Sequence, residues 1–117
     1  STQKRKKLTK KVLYNQINNG LKNIKNKKNI IIAYEPVWSI GSGLIPKIED
    51  LIDTTNVIKI FLTSKMKFQN PKVLYGGSVN PKNIILLRKV TNLDGFLIGG
   101  SSQNSNKFID IIKKTFN

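Results

Sequence analysis

The 117-residue chain carries 38% hydrophobic and 23% charged residues with a formal charge of +15, within reach of one ordinary globular domain and too rich in apolar clusters for disorder throughout. It has no Cys and no His, which excludes disulfides, thiolate chemistry and an imidazole acid, base or metal ligand. Any catalysis must come from carboxylates, lysine, hydroxyls or backbone dipoles, and no cofactor or metal is expected. No apolar run approaches the roughly 20 residues that span a bilayer, and the basic first residues lead into no apolar signal region. A soluble, cytoplasmic chain without membrane contact is expected.

In chain order, the first segment is the basic one. Arg5 and nine lysines fall within residues 1–28 with no acid among them, so +10 of the +15 lies there. Lys4 to Lys11 and Lys22 to Lys28 could follow a phosphate backbone, but only Tyr14 interleaves an aromatic and no base-reading motif appears. A solvated helix face is the expectation, and specific nucleic-acid binding is not. Leu8, Val12, Leu13, Ile17, Leu21 and Ile24 recur at helical spacing, with Gly20 as a soft spot.

Ile30 to Tyr34 is a continuous apolar run rich in β-branched residues, which predicts a parallel strand buried on both faces. Pro36 to Pro46, with two prolines and two glycines, reads as a loop. From Lys47 to Met66, Ile48, Leu51, Ile52, Ile58, Phe61 and Leu62 fit a helix. Val73 to Tyr75 is a short strand ended by Gly76 and Gly77. Pro81 stands where a helix can start, since its missing N–H would be unpaired there anyway, and Ile84, Leu87 and Val90 continue that helix. Phe96 to Ile98 reads as a third strand, followed by Gly99, Gly100, two serines and a helix near Asn106 to Phe116.

The order αβαβαβα implies right-handed crossovers and a parallel sheet. Three such strands leave two edges open and are too apolar to face water. The sequence therefore reads as one partial domain over 1–117, a basic helical segment 1–28 followed by three βα units over 29–117.

The loops after the strands carry the chemistry. The first strand ends in Ala33-Tyr34-Glu35-Pro36-Val37-Trp38, followed by Ile40-Gly41 and Gly43. The second ends in Tyr75-Gly76-Gly77-Ser78-Val79-Asn80-Pro81, and the third spans Asp94-Gly95-Phe96-Leu97-Ile98-Gly99-Gly100. A strand that ends on Glu35 delivers a carboxylate on a rigid element. Pro36 fixes φ after it and confines Glu35 to extended backbone, tying the carboxylate to the loop that follows. A lone Glu before Pro is more often structural, and a Gly pair after a parallel strand serves the tight turn as often as it serves phosphate. Two Gly pairs after successive strands, with Ser78, can however aim N–H groups at one anion.

Together, in this order and spacing, the three loops resemble the triosephosphate isomerase family. The resemblance covers essentially the whole chain but only the C-terminal half of that family's (β/α)8 TIM barrel, strands six to eight, so a partial sequence is expected. It implies that Glu35 is the catalytic base, that residues 36–46 form a closing lid hinged at Val37 and Trp38, and that Gly41, Ser78, Gly99 and Gly100 bind the substrate phosphate while Tyr75 bonds the closed lid. It also implies a small triose phosphate as substrate and a homodimer for the complete enzyme, whose lysine and histidine electrophiles come from segments not present here. Two departures stand out against the family pattern: Leu44-Ile45-Pro46 replaces Lys-Thr-Ala at the second lid hinge, and Ser101-Ser102-Gln103 replaces Ala-Ser-Leu. Another phosphate-binding barrel segment, or a non-enzymatic basic binding module built on residues 1–28, remains the alternative.

Overall fold

A computed structural model of the chain describes residues 2–22, 25, 28, 31–36, 41–99 and 105–116, with side chains from Lys10 to Thr115. Seven elements follow in order: α1 (Thr2–Leu21), β1 (Ile31–Tyr34), α2 (Ile48–Ser64), β2 (Lys72–Tyr75), α3 (Ile84–Leu87), β3 (Gly95–Phe96) and α4 (Ser105–Phe116). The strands form one sheet in the order β1-β2-β3, parallel throughout. Ile31 to Tyr34 align with Lys72 to Tyr75, and Leu74 and Tyr75 with Gly95 and Phe96. Three parallel strands with flanking helices are the fold class expected, one arc of an α/β barrel.

Side-chain alternation decides which face is core. Ile32, Tyr34, Val73, Tyr75, Phe96 and Ile98 belong to two apolar clusters that also take Leu13 from α1, Leu51, Ile58 and Leu62 from α2, Ile84 and Leu87 from α3, and Ile111 from α4. All four helices thus cover the same face. Burying one such leucine or isoleucine contributes about 1.5–3 kcal/mol before entropy is subtracted. On the opposite face Ile31 is 62% exposed and Leu97 46%, and Ala33 is exposed as well. The expectation that the first strand is buried on both faces is therefore corrected. The run Ile31–Tyr34 is apolar on both sides, but the helices of this chain supply cover for only one.

Each helix shows its local logic. In α2 the buried positions Leu51, Thr55, Ile58 and Leu62 recur at spacings of four and three, and Thr55 Oγ1 donates to the Leu51 carbonyl at 2.7 Å. Lys47 at the N-cap makes no side-chain cap hydrogen bond, and Glu49 and Asp50 sit in the first turn, where carboxylates complement the helix dipole. α1 runs through Gly20 and docks on α2 by stacking Tyr14 on Phe61, ring centroids 4.3 Å apart. α3 is a single turn, shorter than its apolar periodicity suggested, and β3 begins one residue earlier and ends two earlier than expected.

The N-terminal end of the sheet is tied by Asp94. Its Oδ2 accepts the Val73 N–H at 2.8 Å and pairs with Lys59 at 3.0 Å, while Oδ1 stands 4.0 Å from Lys72. Burial pushes the carboxyl upward, but the Val73 N–H and the two ammoniums outweigh it and hold Asp94 below the ordinary carboxylate value. A groove of about 400 Å³ runs along the outer edge of β3 beneath α4, lined by Phe96, Ile98, Phe108 and Ile112.

Candidate active site

The chemistry-bearing residues gather at the C-terminal ends of the strands. Glu35 follows β1 directly and is exposed. The parallel ladder continues past it, with Gly76 N–H donating to the Tyr34 carbonyl at 2.9 Å and Leu97 N–H to the Tyr75 carbonyl at 2.9 Å. Adjacent strands lie about 4.8 Å apart, so these loops stand side by side, and Gly76 meets Glu35 itself. A Cβ built on Gly76 would lie 2.7 Å from both Cγ and Oε1 of Glu35, far inside contact distance. The Glu35 side chain therefore crosses the β2 backbone on the uncovered face of the sheet, and only a glycine at 76 leaves it that path.

The loop after β1 comes down beside the same place. Gly41 and Gly43 have φ of +68° and +78°, the left-handed region that glycine enters without a Cβ penalty. Gly43 N–H donates to Ser78 Oγ at 2.8 Å, joining two loops 35 residues apart, and Leu44 N–H donates to Ser42 Oγ at 3.1 Å. After this tip the chain returns to the core: Leu44 is exposed, while Ile45 packs against the cluster holding Tyr75 and Val79. Pro46 is half-buried, and α2 begins two residues later. The segment Leu44-Ile45-Pro46, read from the sequence as a second lid hinge, is thus anchored by the apolar Ile45 side chain.

Ser78 is buried, as is the loop around it. Asn83 Nδ2 donates to the Ser78 carbonyl at 2.8 Å, and Asn83 Oδ1 accepts the Asn80 N–H at 2.9 Å. Asn80 Oδ1 accepts the N–H groups of Lys82 and Asn83, both at 2.9 Å. Gly99 is exposed at the end of the third strand segment, and a Cβ there would meet nothing within 4 Å. Tyr75 is fully buried at the end of β2, where it and burial together raise the pKa of the paired Tyr34, burial being the larger cause. Gly100, Val37 and Trp38 lie outside the described residues.

The structure thus brings together Glu35, the Gly41–Gly43 loop and Ser78, and sets Gly99 at the same end of the sheet. Sequence reasoning named these positions but missed three features: the Glu35 seat on Gly76, the bond from Gly43 to Ser78, and the two hydrogen bonds of the Asn83 amide. The spacing Asn80-x-x-Asn83 was the available signal for the last, since it has the form of a reciprocal N-terminal cap.

No helix among the described residues is long and apolar enough to cross a membrane. Three parallel strands covered by helices on one face, with Glu35 and the Gly41–Gly43 and Ser78 loops at their C-terminal ends, are the layout of one arc of an α/β barrel.

The triosephosphate isomerase family model matches residues 1–115, and the chain belongs to that family. It is 42% identical over 105 residues to the triosephosphate isomerase of Mycoplasma mobile, covering 90% of this chain and 41% of that protein. Against the enzyme of Saccharomyces cerevisiae it is 40% identical over 104 residues, 86% of this chain and 42% of that protein. Against that of Bradyrhizobium diazoefficiens it is 39% identical over 104 residues, 87% and 41% respectively. The chain spans about two fifths of the length of these curated relatives. Membership in the family sets aside the alternative of an unrelated phosphate-binding barrel, and a basic binding module accounts for none of the loop motifs.

Proposed function

We propose that this segment supplies the general base and most of the phosphate cradle of a triosephosphate isomerase, which interconverts dihydroxyacetone phosphate and glyceraldehyde 3-phosphate in the cytoplasm as a homodimer. The observation that carries the reading is the Glu35 side chain laid across Gly76 at the strand ends, beside the Gly43–Ser78 bond.

The reaction moves one proton between neighbouring carbons. Glu35 takes a proton from C1 of the ketose, the electrons of that C–H bond form the C1–C2 double bond and those of the carbonyl move onto O2 to give an enediolate. A proton then passes from the C1 hydroxyl to O2, and Glu35 delivers to C2 either the abstracted proton or one exchanged with solvent while on the carboxyl, as the C1 carbonyl of the aldose forms. One carboxylate suffices for both transfers if it swings little and water is excluded. The phosphate takes no part in bond making and serves as a handle. The amides of Gly41, Gly99 and Gly100 and the Ser78 hydroxyl can hold it without a guanidinium, so substrate binding and lid closure are one event. The chain holds no histidine, so a polarising imidazole must come from outside these 117 residues.

The test is a coupled isomerase assay on two proteins, the isolated chain and a full-length barrel carrying this segment. The barrel is expected to turn over and to lose activity on Glu35→Gln, while the isolated chain shows none. Activity in the Glu35→Gln barrel would remove Glu35 from the role of base.

A further inference from the structure

We propose that Asn83 is the positioning residue for Ser78, and that through this one side chain the start of α3 sets the geometry of both the lid latch and the phosphate cradle. The inference rests on the reading of Ser78 as a phosphate contact. Asn83 is 8% exposed and spends both ends of its amide locally. Nδ2 donates to the Ser78 carbonyl at 2.8 Å, and Oδ1 accepts the Asn80 N–H at 2.9 Å. A buried amide satisfied at both ends is held to a single orientation, because any other leaves a polar group unpaired.

The consequence falls on Ser78. With its carbonyl pinned from below and Val79 buried after it, the peptide that follows Ser78 cannot turn. The direction of its Cα–Cβ bond is then set, and the Oγ that this Cβ carries receives the Gly43 N–H at 2.8 Å. The glycines at 76 and 77 give the preceding backbone little stiffness of its own. Asn83 supplies what those two residues lack. Its two bonds have separable jobs: Oδ1 belongs to the reciprocal cap with Asn80, whose own Oδ1 holds the N–H groups of Lys82 and Asn83, whereas Nδ2 alone reaches Ser78.

Asn83→Asp separates them in the full-length enzyme. An ionised aspartate keeps an acceptor for Asn80 but offers no donor to the Ser78 carbonyl; once protonated, its O–H replaces that donor. Inhibition by inorganic phosphate is measured from pH 8 to pH 5, taking the ratio of variant to wild type at each pH so that ionisation of phosphate itself cancels. The expected ratio is about fivefold weaker binding at pH 8, returning toward one as the pH falls. Asn80→Ala, which breaks only the cap, lowers the melting temperature and leaves the ratio near one at every pH. Asn83→Ser, small and uncharged, shows the deficit without recovery at low pH, and against Asn80→Ala it carries the test if the aspartate variant folds poorly. Wild-type phosphate binding in both Asn83 variants, or an equal deficit in Asn80→Ala, overturns the proposal. Ser78→Ala distinguishes the two levels. Undiminished phosphate binding in it overturns the reading of Ser78 and this inference with it, while a deficit there with none at Asn83 overturns the inference alone.

Discussion

The two ends of the three-stranded sheet are built from different chemistry. At the N-terminal end a carboxylate, Asp94, is spent: one backbone N–H and two lysines surround it, and its pKa is held down by them. At the C-terminal end the carboxylate of Glu35 is left exposed at the open face, over a glycine, beside a loop whose left-handed glycines and buried serine hold each other. A carboxylate that ties strands together needs partners in the folded state, whereas one that must exchange a proton with a ligand needs room and a fixed stem. With Glu35 as the proposed base, the contrast separates stability from chemistry along about four residues of strand, and substitutions at the two ends should fail in different ways.

The largest effect is expected at the exposed carboxylate. Glu35→Asp in the full-length enzyme retracts the base by roughly one carbon–carbon bond, and misplacement near 1 Å costs on the order of 10²-fold in kcat. KM should move little, which steady-state kinetics will show. Gly76→Ala is next. Its Cβ would displace a flexible side chain rather than backbone, so the melting temperature should barely change while kcat falls on the order of tenfold. Ser78→Ala removes the acceptor for Gly43 and a proposed phosphate contact, and should weaken substrate binding by about tenfold with a smaller loss in kcat.

At the other end Asp94→Ala should leave kcat and KM unchanged and destabilise the fold by about 1 kcal/mol, read by denaturant unfolding. Its pH dependence has a defined sign. A carboxyl depressed in the folded state contributes stability above its ordinary range, and that contribution is lost as pH falls through roughly 4 and below. Wild type and Asp94→Ala should converge in stability there. The smallest effect is expected from neutralising Lys4, Lys6, Lys7, Lys25, Lys27 and Lys28. Turnover should be unchanged and only the salt dependence of kcat/KM reduced, since the solvated charges that the sequence pattern predicts there act through a field screened over about 8 to 10 Å.

The layout was legible in the sequence where one physical cause acts alone. The spacing of Leu51, Ile58 and Leu62 is helical because one side of α2 is covered, and the element order fixed a parallel sheet through the crossover rule. Glu35, Gly41, Ser78 and Gly99 were named because their strings resemble a family, and the fold sets them at one end of the sheet. The run beginning at Ile31 was misread as doubly covered because apolar residues on both faces say that cover is needed, never whether this chain provides it. The short α3 and the shifted β3 escaped periodicity, since two or four residues are too few to show a period. The Glu35–Gly76 contact and the Asn83–Ser78 bond join residues on different elements or across a turn, and only the folded register reveals them.

The central claim is that the exposed carboxylate moves the proton while the serine and glycine loops hold the phosphate. Solvent deuterium incorporation into the triose phosphate, followed by NMR in full-length Glu35→Gln alongside inhibition by inorganic phosphate, measures the two separately. The account predicts that incorporation falls on the order of 10³-fold while the phosphate inhibition constant stays at its wild-type value. Incorporation at the wild-type rate, or phosphate binding lost together with exchange, would contradict it.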